Sequence, residues 1–115
     1  MSNQYQCRPF NEDELLRQIG IGNVFAISGG RVGVIKNNDG ETIEIELRAG
    51  KGYRVCITLS GWDTWIVRRE FVRNGVAKVK GVIEDVYADQ VGEVAYQASL
   101  FISNPDFGQK VDSTN

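Results

Sequence analysis

The chain of 115 residues contains no histidine. That excludes His-based metal centres, a Ser-His-Asp triad and the usual Cys-His nucleophile, because each needs an imidazole as ligand or base. Cysteine is almost as scarce, with only Cys7 and Cys56. One falls in an N-terminal arm and the other in a strand pattern, so no disulfide framework can be read and a reducing, cytoplasmic setting is expected. No apolar run approaches the roughly 20 residues needed to span a bilayer. Residues Met1 to Gln6 carry neither the basic nor the apolar part of a secretory signal. The expectations are an intracellular protein with no membrane partner and no cofactor or metal.

What remains is the composition of a small globular domain, 42% hydrophobic and 24% charged. The length suits a single domain. Composition divides it into an arm over residues 1–10, a domain over 11–103 and a flexible polar tail over 104–115. The net charge is −2, yet Arg31 to Lys80 holds ten Lys/Arg against six Asp/Glu. A basic middle flanked by acidic ends fits a polyanion-binding face, or strand surfaces whose cations blunt edges. The sequence pI near 5.1 disfavours a dedicated nucleic-acid binder.

The pattern predicts helices at both ends and strands between. Asn11 is a good N-cap, Glu14 stands at the capping-box position, and Leu15, Leu16 and Ile19 form an apolar stripe that Gly20 and Gly22 end. Val24 to Ser28 reads as a first strand and Gly29-Gly30 as a turn or bulge into Val32 to Lys36. Glu41 to Arg48 and Tyr53 to Ser60 alternate with period two, so one face is dry. Asn74-Gly75 is a two-residue hairpin signal joining Thr64–Arg73 to a return strand. In the first of these, Trp65, Val67 and Phe71 point inward, with Arg69 reaching the rim or a carboxylate. In the second, Ala77 and Val79 point inward, and Lys78 and Lys80 outward. Asp85 reads as the N-cap of a last helix whose stripe is Tyr87, Val91, Val94, Ala95, Ala98 and Phe101, with Gly92 marking close packing. The expected fold is α+β: one antiparallel meander of five to six strands, with an N-terminal and a C-terminal helix on one face and the other face wet. A strongly curled, barrel-like sheet is the alternative.

Chemistry-bearing patterns are few. Gly29-Gly30-Arg31-Val32-Gly33 resembles a phosphate loop, but β-branched residues follow where a helix should start. Asp85 and Asp89 suit a helix N-terminus. Arg68, Arg69, Arg73, Lys78 and Lys80, with Trp62 and Trp65, could form a basic aromatic surface for nucleic acid. Tyr96, Leu100, Ile102 and Phe107 fall off the buried stripe and could form a partner patch, or a wider buried stripe.

Three runs carry a resemblance: Leu16-Arg17-Gln18-Ile19-Gly20-Ile21-Gly22-Asn23-Val24-Phe25-Ala26-Ile27-Ser28-Gly29-Gly30-Arg31, Asp63-Thr64-Trp65-Ile66-Val67-Arg68-Arg69-Glu70-Phe71 and Asp85-Val86-Tyr87-Ala88-Asp89. Over about residues 15–100 the chain resembles small uncharacterised proteins of actinobacteria and their temperate phages. The resemblance implies a mobile-element setting and no catalytic role. Arg31, Arg69 and Asp89 are its polar positions outside helix-end, turn and core duties.

These readings together predict a non-enzymatic accessory protein that docks on a host or phage macromolecule, a protein above all, or on itself. The alternatives are weak nucleic-acid binding on the outward sheet face, and an oligomeric cleft near Arg31 and Arg69 for a small anionic ligand.

Overall fold

The computed structural model describes residues 8–109. Two short helices, α1 (Glu12–Ile19) and α2 (Ile21–Ser28), precede five strands: β1 (Val32–Lys36), β2 (Thr42–Gly50), β3 (Tyr53–Leu59), β4 (Trp65–Arg73) and β5 (Val76–Val86). A last helix, α3 (Val91–Ser99), follows. The strands form one antiparallel meander in the order β1-β2-β3-β4-β5. This is the expected α+β class, with five strands.

α1 starts where its cap dictates, with Asn11 Oδ1 accepting from the Glu14 backbone N–H at 3.0 Å. It buries Leu15 and Ile19, each contributing about 1.5–3 kcal/mol. The next segment corrects the sequence reading, because residues 24–28 are helix rather than strand. Gly20, at φ 93°, turns the chain between α1 and α2, and Gly22 lies inside α2 instead of ending α1. Val24, Ile27 and Ser28 face inward at helical spacing. A short apolar run does not declare its period, and here tertiary burial selected the helix. Gly29, in the left-handed region, closes α2 and donates to the Phe25 carbonyl at 2.8 Å.

Ile45, Leu47, Val55, Ile57, Trp65 and Val67 form the dry face and meet Leu15, Ile19, Val24, Ile27, Val91, Ala95 and Ala98 from the helices. Gly92 lets α3 cross the α1–α2 junction, since a Cβ there would lie 2.5 Å from the Ile19 carbonyl oxygen. Phe10 packs edge-on against Trp65 with ring centroids 5.1 Å apart. The turns follow the sequence: Asn74 and Gly75 both adopt positive φ in the β4–β5 hairpin.

β5 departs from its simple alternation. The pairings Arg69–Gly81 and Glu70–Val79 leave Lys80 as an extra residue, and a second shift separates Val67–Ile83 from Trp65–Val86. The first bulge inverts the expected parity. Lys78 pairs with Phe71 of the inner face and Val79 with Glu70 of the outer face. Residues 76–80 are nonetheless all exposed, because the hairpin runs past the helices. Asp85, at φ 58°, belongs to the end of β5 and not to a helix cap. Gln90 is the N-cap of α3, and Tyr87 is exposed rather than part of the stripe.

Of the expected tail, residues 104–109 return to the sheet. Phe107 is buried, and Val82 donates its backbone N–H to the Gly108 carbonyl at 3.2 Å. Residues 110–115 lie outside the described residues, as do 1–7 of the expected arm. Arg8 bridges to Leu59, and Phe10 donates to the Thr42 carbonyl at 3.0 Å.

Candidate functional site

β4 alternates side chains between the two faces, so Arg68 and Arg69 part company. Arg69 joins Val55 and Gly81 on the helix-covered side. It is 2% exposed and has no carboxylate within ion-pair distance among the described residues. Its guanidinium donates to the carbonyls of Ala98 (2.7 Å), Asn104 (2.8 Å), Gln97 (3.2 Å) and Pro105 (3.3 Å). Gln97 and Ala98 lie in the last turn of α3, where the macrodipole is negative; Gln97 also accepts from the Leu100 backbone N–H at 3.2 Å. The Phe107 ring lies 5.2 Å away, an added cation–π contact. Burial lowers the Arg69 pKa from its ordinary value, but guanidinium stays charged in proteins. The expected rim position or acid partner is thus corrected: Arg69 ties the C-terminal loop to the sheet and offers nothing to a ligand.

Arg68 belongs to the outer face, which is not uniformly wet. There Glu44 (3.1 Å) and Glu70 (2.9 Å) bind Arg68, and Glu70 (2.8 Å) and Glu46 (3.5 Å) bind Arg54. Strand register makes this chain of pairs, since Arg54 stands opposite Glu70 and Cys56 opposite Arg68 and Glu46. Long charged side chains cover one another, leaving Arg68 8% and Glu70 6% exposed and Cys56 fully buried. Burial raises the Glu70 pKa, and the Arg54 hydrogen bond with the Arg68 charge more than reverses that, so it lies below the ordinary value. Glu46 goes the other way. Burial and a hydrogen bond with Glu44 raise it, against the opposing charge of Arg54.

Glu44, Glu46 and Cys56 place three possible metal-ligand atoms within 4.8 Å of one another. The carboxylates are already bound by guanidinium groups, and burial with nearby carboxylates pushes the Cys56 thiol far above its usual range. The donor set therefore favours a protonated thiol inside an ion-pair network over a metal ligand or nucleophile.

The other candidates scatter. Arg73, at the far end of β4 from Trp62, is exposed on the hairpin with Lys78 and Lys80. Trp65 is core and Trp62 is 85% exposed in the β3–β4 turn. The expected basic aromatic surface is therefore not assembled. Asp89 is exposed in the turn before α3. Phe107 is buried core, Tyr96 is half-buried against that core, Leu100 is half-buried, and only Ile102 is fully exposed, so they form no common patch. Arg31 is exposed just before β1.

Sequence reasoning missed one further feature, an apolar groove on the helical side. Its volume is about 580 Å³, and it is lined by Leu16, Arg17 and Asp13 of α1, Ile21, Val24 and Phe25 of α2, and Gly30 and Val32. Ile21 is 75% and Phe25 58% exposed. Gly30 seats the Phe25 ring, since a Cβ there would lie 2.8 Å from it. The groove adjoins β1, which pairs only with β2 among the described residues. Reading 24–28 as a strand hid it, because Ile21 and Phe25 fall one turn apart only on a helix.

Set against known proteins, the chain matches no family model, no curated protein and no solved structure.

Proposed function

We propose that this chain is a non-enzymatic interaction protein that associates with a second copy of itself through the α1–α2–β1 side. The observation that carries the reading is the exposed pair Ile21 and Phe25, set in an apolar groove beside a strand edge that pairs with no further strand among the described residues. Large apolar side chains at such exposure cost solubility unless a partner covers them. Two features favour a like copy. Two antiparallel β1 edges can pair about a two-fold axis. Asp13 and Arg17 share one lip of the groove, so a two-fold can set each against the opposite charge of the other copy. The resemblance adds the proposed setting, a phage or mobile-element accessory protein.

Light scattering over a concentration series tests the reading. A dimer is expected, reverting to monomer in Phe25→Glu and Ile21→Lys with unchanged circular dichroism. A wild-type monomer at all concentrations, or a dimer indifferent to both substitutions, overturns it.

A further inference from the structure

On the outer face, β1, β2 and β3 bring three arginines to one level. Arg48 pairs directly with Arg54 across β2 and β3. Arg31 precedes Val32, whose partner on β2 is Leu47, so the register carries Arg31 alongside Arg48. Like charges placed opposite each other destabilise a sheet. Arg54 relieves its charge on Glu70 and Glu46. Arg31 and Arg48 have no carboxylate within ion-pair distance among the described residues.

Space accompanies the charge. A cleft of about 410 Å³ is lined by Arg31, Arg48, Gly50, Gly52, Arg54 and Val72, with no acidic residue among them. A smaller one of about 190 Å³ shares Arg31 and Arg48 and adds Val32, Gly33 and Glu46. In the larger cleft a Cβ on Gly50 would meet nothing within 4 Å, so its bare backbone leaves room for a ligand there. The larger cleft falls in the size class of small-molecule sites, roughly 300–1,000 Å³. Glu46 repels an anion from the smaller cleft, so the larger one is favoured.

We infer that this cleft binds a small ligand bearing phosphate, a diphosphate or nucleoside diphosphate in class. Arg31 and Arg48 would each offer a planar fork to phosphate oxygens, the geometry in which arginine binds that group best. The ligand's negative charge would offset the mutual repulsion of Arg31 and Arg48, which no carboxylate among the described residues relieves. A long polyanion fits less well, because the acidic pI opposes its approach. The larger cleft shares no lining residue with the groove proposed for self-association, although Arg31 lies between Gly30 and Val32 of that groove, and Phe25→Glu tells the two proposals apart.

The test is calorimetric titration of the full chain with sodium pyrophosphate, with ADP, and with a thymidine dodecamer with and without a 5′-phosphate. Pyrophosphate and ADP are expected to bind, and Arg48→Ala or Arg31→Ala to weaken each about tenfold or more. Phe25→Glu is expected to leave that binding unchanged. Arg48→Ala also removes a like-charge contact, so its melting temperature should match or exceed wild type, which separates lost binding from lost fold. Dodecamer binding only with the 5′-phosphate would identify a terminal phosphate as a second source of the same chemistry. No binding of pyrophosphate and ADP, binding indifferent to both arginines, or tighter dodecamer binding regardless of the 5′-phosphate would each overturn the inference.

Discussion

Arg68 and Arg69 are neighbours in the chain and opposites in the fold. Both are withdrawn from water, at 8% and 2% exposure. On the inner face Arg69 is held by four backbone carbonyls. On the outer face Arg68 is held by two carboxylates that share a network with Arg54 and Glu46. Carbonyls do not titrate and carboxylates do. A buried guanidinium can therefore anchor a fold in two ways, and only one of them makes the anchor depend on pH.

The largest expected effect is on the inner anchor. Arg69→Met takes the donor from the buried Ala98 carbonyl and one donor each from the carbonyls of Gln97, Asn104 and Pro105, and should cost about 3 kcal/mol in urea denaturation. Arg69→Lys should recover only part, because one ammonium cannot span the four carbonyls. The loss should be equal at pH 5 and pH 8; a loss that varies across that range would break the contrast between the faces.

Next comes the loop that Arg69 holds. A Cβ on Gly81 would lie 1.9 Å from the Phe107 carbonyl oxygen. Gly81→Ala should therefore displace the C-terminal loop and cost about 1–3 kcal/mol, with new hydrogen exchange at residues 104–109. Unchanged exchange there would show that the loop contributes nothing to the inner face.

The outer face supplies two smaller, opposed effects. Glu70 has a folded pKa below its ordinary 4.5, so its contribution is present above 4.5 and lost as pH falls through the lower folded value. Glu70→Gln should cost about 1–2 kcal/mol at pH 7 and converge with wild type in acid. Glu46 has a raised folded pKa, so its ionised form opposes folding at neutral pH. Glu46→Gln should give a slight gain at pH 7 that vanishes as acid protonates the wild-type carboxyl. Melting curves from pH 3 to 8 check both, and shifts of the same sign would remove the proposed division of roles.

Much of the architecture was legible in the residues. Asn11 with Glu14 placed α1, and Asn74-Gly75 placed the β4–β5 hairpin, because caps and tight turns depend on a few local atoms. The alternation of Ile43, Ile45 and Leu47 with charged residues told inner from outer face on β2 for the same local reason. α2 was misread because a short apolar run is compatible with either period. The bulge at Lys80 was invisible because it depends on the partner strand. The candidate sites fared worse. Arg69 was singled out, but its partners come from α3 and from the loop after it, some 28 to 36 residues on. Arg48 and Arg54 were passed over, although like charges flanking the Gly50-Lys51-Gly52 turn were a signal that they would meet.

The amino-acid order alone settled where α1 and the five strands begin, which faces of β2 and β3 are dry and which turns are tight, because those choices are made by atoms a few residues apart. Tertiary structure alone decided that Arg69 would disappear under α3 while Arg68 joined a ring of acids. It also decided that Ile21 and Phe25 would stand open and that Arg31, Arg48 and Arg54 would line one cleft. Each of these depends on which distant residues the register brings together, and no local preference encodes that.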